Sequence, residues 1–397
     1  LIQIHDSITR HEGMGEESGR SSLGETGIAE IAGLFLRLGL TAFGGPAAHL
    51  GLMEREAVAQ RRWMSRESFL DLVGACNLLP GPSSTQVAMA LGYTRHGWLG
   101  LLAAGVCFIG PAALATLGLA WAYVQYGSLP QAQGLLYGAK PAMVALIVQA
   151  VWKLGRTAFK SKWLGVAGAA CFAAALLGAP PLAVLLASGG VVLVVTWGRR
   201  RRSNTAMGLV FLPVGVGTGA ASAVGLMPLF LVFLKLGVVV FGSGYVLLAF
   251  IQADLVDRLH WVTQSQLLDA VTAGQVTPGP LFASATFLGY VIGGWSGAAV
   301  ATAAIFLPSF LLAGVAAMLA ERIRRSELAG AFLDGVNVAA VAVMASVALT
   351  LGRAALVDGL AWGVGVVSAG LLIWTKVNPA WLILGGAVVG LLAHGLK

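Results

Sequence analysis

Twice in this chain a Pro-Gly-Pro triplet interrupts an apolar stretch, each time among side chains that can hydrogen-bond an anion. The first is Asn77-Leu78-Leu79-Pro80-Gly81-Pro82, followed by Ser83, Ser84, Thr85 and Gln86. The second is Gln275-Val276-Thr277-Pro278-Gly279-Pro280, with Ser284 beyond it. Proline removes backbone donors and ends a helix. Such a break is tolerated at membrane depth only where it is buried or lines a wet cavity. The helix that restarts after it offers unpaired N–H groups and the positive end of its dipole, a setting that suits an anion. Hydroxyl and carboxamide donors there could replace the hydration shell of a tetrahedral oxyanion, and Gly81 and Gly279 would let the backbone come close to it. One such triplet alone would read as a structural kink with hydroxyls bonding back to their own helix. Two in register, each preceded by a carboxamide, favour binding.

Charged residues recur in register as well. Arg37 and Lys235 sit at equivalent depths in the first apolar segment of each half, where a cation costs about 2.5–3.5 kcal/mol. Snorkelling along a long stem would lessen that cost, but a cation kept in both copies argues for use, and two positive charges would balance a dianion. Just beyond lie Phe43-Gly44-Gly45-Pro46 and Phe241-Gly242-Ser243-Gly244, where Gly44, Gly45, Gly242 and Ser243 permit a break or a close approach. His49 follows in the first copy only, because its equivalent is Leu247. Glu56 and Asp254 also match. They read either as a proton-coupling acid pair or, preferably, as loop carboxylates neighbouring Arg55 and Arg258. Lys140, beside Pro141 in an apolar stretch, aligns with Asn337 and makes any site around it asymmetric.

The elements that must position these groups form a duplicated unit. Phe35 and Phe233, Trp63 and Trp261, and Pro82 and Pro280 are each 198 residues apart; Tyr93 and Tyr290, Pro111 and Pro308, and Arg156 and Arg353 are each 197 apart. A single deletion accounts for the change. The division reads as a polar, disordered tail over 1–27, a first repeat over 28–198, a basic and Gly-rich linker over 199–227 and a second repeat over 228–397. In an apolar chain, matching Pro/Gly-interrupted segments point to a secondary transporter whose site lies where the copies meet.

Composition sets the class. Of 397 residues, 57% are hydrophobic and only 11% charged, against about 25% charged in soluble domains. The chain reads as an all-α polytopic membrane protein embedded in the lipid bilayer, and no alternating strand pattern of a membrane barrel is visible. Its net charge of +8 collects in clusters: Lys153, Arg156, Lys160 and Lys162, then Arg199 to Arg202, then Arg322, Arg324 and Arg325. Clusters of this kind fix orientation and do not bind nucleic acid. The loop at 123–133 is uncharged while its equivalent at 320–330 is basic, and the loop at 153–162 is basic while 350–359 is nearly neutral. Equivalent loops therefore face opposite sides, which makes the repeats inverted in topology.

About 10–13 transmembrane helices are expected, some broken or re-entrant. Either 68–92 and 206–226 both cross, giving the higher count with the amino terminus inside, or 68–92 and its equivalent are re-entrant and 206–226 does not cross, giving the lower count with the amino terminus outside. Cys76, Cys107 and Cys171 are too scattered for a metal site or a disulfide framework. Catalytic and nucleotide-binding motifs are absent, so the chain reads as no enzyme and needs no cofactor. A homodimer is compatible with these features without being required by them.

Leu38-Gly39, Phe43-Gly44-Gly45-Pro46 with His49, and Asn77-Leu78-Leu79-Pro80-Gly81-Pro82 with Thr85-Gln86, repeated more weakly in the second half, resemble the chromate ion transporter family in its long, two-domain form. The resemblance covers about residues 30–395. It implies export of chromate, a tetrahedral dianion similar to sulfate, from a bacterial cytoplasm across the inner membrane. Alternating access driven by the membrane potential or an ion gradient is the expected mechanism; a channel-like uniporter or a sulfate carrier is the alternative. Ser243-Gly244 in place of Gly45-Pro46, Leu247 in place of His49 and Gln275 in place of Asn77 make one principal site the expectation rather than two equal ones.

Overall fold

Each half of the chain begins with helices too short to cross a bilayer. The computed structural model describes residues 27–200, 225–241, 244–324, 327–375 and 377–395, so Gly242, Ser243, the tail and most of the linker lie outside it. Helix α1 (Ile28–Thr41) is followed by a break at 42–45 and by α2 (Pro46–Glu54), which runs on as a π-helix over Arg55–Gln60. Fourteen residues of α1 reach about 21 Å, short of a hydrocarbon core of about 30 Å. Glu30 pairs with Arg61 at 3.4 Å, so this segment folds back and leaves by the face it entered. The stretch 30–52, apolar throughout in sequence, is a re-entrant hairpin and not one crossing, because Gly44 turns the chain at φ +108° and Pro46 starts a new helix.

The same construction follows at once. Helix α3 (Arg66–Leu78) starts where Ser65 accepts the Ser68 N–H, and it leads through Pro80-Gly81-Pro82 into α4 (Ser83–Tyr126). Arg95 donates to the Trp63 carbonyl at 3.4 Å and lies over its ring at 5.8 Å. The limb 83–95 has therefore returned to the face that α3 left, which makes 66–95 re-entrant. Helix α4 reverses at His96 and Gly97, where the backbone is non-helical. Its limbs pack so tightly that a Cβ on Gly92 or Gly100 would strike the other's carbonyl. The long second limb then runs through the protein, followed by α5 (Pro130–Ala158), α6 (Lys162–Leu176) and α7 (Pro181–Arg200).

The second half repeats this order. Helix α8 (Leu226–Val239) precedes α9 (Val246–Ile251) with its π-helix Gln252–Arg258, and then α10 (Gln264–Val276), opened by a Thr263–Gln266 capping box. A short 3-10 turn, Leu281–Ala283, leads into α11 (Ser284–Arg324), which reverses at Gly293–Gly294. Helices α12 (Glu327–Ala355), α13 (Gly359–Trp374) and α14 (Pro379–Gly395) complete it.

The long limbs of α4 and α11 pack against each other in opposite directions. Gly105 meets Phe310, and Gly314 meets Trp98. The repeats are thus inverted, and the hairpins of each half enter from opposite faces. Four helices among the described residues are long and apolar enough to cross a membrane: Ser83–Tyr126, Pro130–Ala158, Leu281–Met318 and Gly330–Ala355. Large apolar side chains such as Leu114, Trp152, Val166, Leu311 and Ile373 point outward, as a lipid-facing surface requires. The chain is a multi-pass, all-helical membrane protein.

Candidate functional site

All four chain breaks meet between the repeats. The Gly81 N–H donates to the Val240 carbonyl at 2.6 Å, and the Gly279 N–H donates to the Ala42 carbonyl at 2.9 Å. Pro80 and Phe241 form an antiparallel bridge. Each Pro-Gly-Pro tip therefore satisfies the break of the opposite repeat. Only a backbone with positive φ makes the turn, +116° at Gly81 and +97° at Gly279, a region that residues with a Cβ rarely adopt.

The junction encloses a cavity of about 20 Å³ lined by Gly44, Gly45, His49, Ser84, Gln275 and Thr277 among others, room for about one water. His49 ties it together. Its Nε2–H donates to the Ala42 carbonyl at 3.2 Å, and its Nδ1 lies 3.3 Å from the Ser84 hydroxyl. Tyr245 closes the other side and hydrogen-bonds Gln275.

Several buried polar groups here have no side-chain partner among the described residues. They are the hydroxyls of Thr85, Ser284 and Ser309 and the carboxamide oxygen of Gln86. The Gln86 Nε2 is occupied by the Pro80 carbonyl at 2.5 Å. The first bond of helix α4 runs from the Gln86 N–H to the Pro82 carbonyl, so the amides of 83–85 form the helix start that faces the break. Thr277 differs from its expected role, since its hydroxyl bonds back to Ala273 at 3.1 Å.

A second, open cavity of about 840 Å³ reaches this junction from the face that carries the 159–161 loop. Gly44, Gly45, Asn77 and Ser83 lie at its inner end, and Lys153, Lys160, Asp334 and Asn378 line it further out. Lys160 is held by Asp334 at 2.7 Å.

Arg37 and Lys235 were expected beside the breaks, and they line neither cavity. Arg37 pairs with Glu56 at 2.5 Å, and Glu56 also contacts Arg61. Lys235 pairs with Asp254 at 2.7 Å, and Arg258 adds a second contact at 3.2 Å. The reason is electrostatic: Glu56 and Asp254 are buried, and a buried carboxylate requires counter-charge. These clusters staple the first hairpin of each repeat. Arg55, expected beside Glu56, reaches it only at 3.9 Å.

Lys140 also lies away from the junction. It pairs with Asp269 at 3.3 Å and donates to Ser265 at 2.6 Å. Ser309, Tyr245 and Asp269 were missed by sequence reasoning. Ser309 carried a signal, because it follows Pro308, the in-register partner of Pro111, inside an apolar helix.

Over residues 29–194 and again over 227–391 the chain matches the family described as Chromate transporter. It is 31% identical over 380 residues to a probable chromate transport protein of Synechococcus elongatus, spanning 92% of this chain and 95% of that one. The chromate transport protein of Cupriavidus metallidurans is 30% identical over 376 residues, spanning 93% of this chain and 94% of its own. That of Pseudomonas aeruginosa is 33% identical over 376 residues, spanning 90% of each. No solved structure matches.

Proposed function

This chain belongs to the chromate transporter family, and we propose that it exports chromate from a bacterial cytoplasm across the inner membrane by alternating access between its inverted repeats. The observation that carries the reading is the junction itself. Two Pro-Gly-Pro tips, each hydrogen-bonded to the opposite repeat's break, bring the helix starts that follow them to one junction, and those helices carry buried hydroxyls without a partner. A tetrahedral dianion has no hydrogen to donate, so it is held by N–H and O–H groups. Ser83, Ser84, Thr85 and Ser309 would supply these beside the first tip and Gln275 and Ser284 beside the second, while the Gln86 Nε2 and the Thr277 hydroxyl are engaged within their own repeats.

The distribution of charge supports the direction. The α5 helix returns to the face where the long limb of α4 begins, which puts Lys153, Arg156, Lys160 and Lys162 on the same face as Arg61, Arg62 and Arg95, and basic residues collect on the cytoplasmic side. The open cavity faces that side, so the conformation at hand is one that loads from the cytoplasm. The interior-negative potential then drives a dianion outward by about 4.6 kcal/mol per 100 mV. Export needs a gated path and no further energy source. The junction cavity is too small for the anion in this state, which supports a carrier that must rearrange over an open channel.

The test is uptake of radiolabelled chromate into inverted membrane vesicles, with the potential and the pH gradient clamped separately and sulfate as competitor. Saturable uptake driven by an inside-positive vesicle potential is expected. Flux that ignores the potential, or that appears with sulfate alone, would overturn the reading.

A further inference from the structure

We infer that the Lys140–Asp269 ion pair is the gate that closes the transport path on the face opposite the basic one. The inference rests on the alternating-access reading above. Asp269 is buried on α10, and Lys140 reaches it from α5 at 3.3 Å. Ser265 accepts from Lys140 at 2.6 Å and donates to Asp269 at 3.4 Å, while the Tyr123 hydroxyl donates to Asp269 at 3.2 Å. Three helices of two repeats are thereby joined at one carboxylate.

The position fits a gate. A cavity of about 610 Å³ opens on the face bearing Gly127 and Val357 and ends at Tyr123, Lys140, Ser265 and Asp269. None of the four breaks lines it, in contrast to the cavity on the basic face. The ion pair therefore separates an open vestibule from the junction. Two features let it move and let the movement be felt. Lys140 directly precedes Pro141, which has no N–H to give to the helix ladder and so weakens α5 at that point. Asp269 lies two turns before Thr277 on α10, the helix that ends in the second Pro-Gly-Pro break.

Pseudo-symmetry sharpens the argument. The positions equivalent to Lys140 and Asp269 are Asn337 and Asp71, which cannot form an ion pair, and Asn337 lines the open cavity. This ion pair therefore has no counterpart at the equivalent positions of the other repeat. At rest the carrier would stand closed outward and open towards the basic face, poised to load.

The experiment measures access and needs no substrate. Cys76, Cys107 and Cys171 are replaced by alanine, Thr277→Cys is introduced at the junction cavity, and a membrane-impermeant thiol reagent is applied from each face separately. Labelling is counted per molecule of full-length protein remaining in the membrane. Asp269→Asn and Lys140→Asn should each raise labelling from the Gly127 face about tenfold or more, and the swap Lys140→Asp with Asp269→Lys should return it to the starting level. Asparagine at 140 is the residue the other repeat already carries, so this variant guards against misfolding. Unchanged labelling in both single variants, or a swap that labels like them, overturns the gate. Either result leaves the substrate open, and a chromate assay that failed for want of the right anion would not alter the labelling.

Discussion

Gly279 gives its backbone N–H to Ala42 at 2.9 Å, across the boundary between two halves whose equivalent positions here lie 198 residues apart. Gly81 does the same for Val240. A break in one repeat is thus completed by the other.

Replacing either glycine should disable the junction. A Cβ on Gly81 would lie 2.6 Å from Gln86 Nε2 and 2.9 Å from Ser309 Oγ, and one on Gly279 would lie 2.7 Å from Ala112 Cβ. The positive φ adds strain of about 1–3 kcal/mol. Gly81→Ala is expected to lose more than about nine-tenths of its initial chromate uptake rate while lowering the Tm. Full uptake with an unchanged Tm would contradict this account of the turn.

Arg37 is expected to matter for folding more than for substrate. Glu56 is buried while Arg37 is half-exposed, so removing Arg37 leaves the buried carboxylate with Arg61 as its one close counter-charge. Arg37→Gln should therefore lower the amount of folded protein, and by less where Glu56 is already Gln. A double-mutant cycle read by thermal unfolding in detergent checks this; additive effects would show that the pair is not coupled.

His49 bridges a carbonyl and a hydroxyl at the junction. His49→Leu copies the second repeat's Leu247 and leaves Ser84 without that bond, a loss of about 1–3 kcal/mol. Ser84→Ala added on top should cost little more, because the bond is already gone. Thermal unfolding of the three variants decides it, and a full second loss would contradict the bridge.

Lys153 lines the open cavity with its side chain exposed. If it draws anions inward, Lys153→Gln should raise the KM for chromate severalfold, leave the maximal rate near its starting value and flatten the dependence on ionic strength. A KM that is unchanged at low salt would remove the residue from the path.

The duplication, the inversion and the Pro-Gly-Pro breaks were legible because each leaves a mark on residue order: equal spacing, opposite loop charge, missing donors. Gly81, Gly279 and Gln86 stand at the junction for that reason. Arg37 and Lys235 were read as ligands because a cation in an apolar segment announces its own cost but not its partner. Glu56 and Asp254 lie 19 residues further on, and only the back-folding of the hairpin brings them near. The same back-folding was hidden in 30–52, which looks continuous in hydropathy although a positive-φ glycine breaks it. Lys140 and Asp269 come from different repeats, and no pattern within either one pairs them. Gly242 and Ser243 lie outside the described residues.

The central claim is that the meeting breaks hold the anion. Crystals grown with chromate, measured at the chromium absorption edge, test it most directly. An anomalous peak within hydrogen-bonding reach of the Ser83–Gln86 helix start and the Gly81 turn is the predicted result. A peak elsewhere in transport-competent protein, with this junction empty, would contradict it.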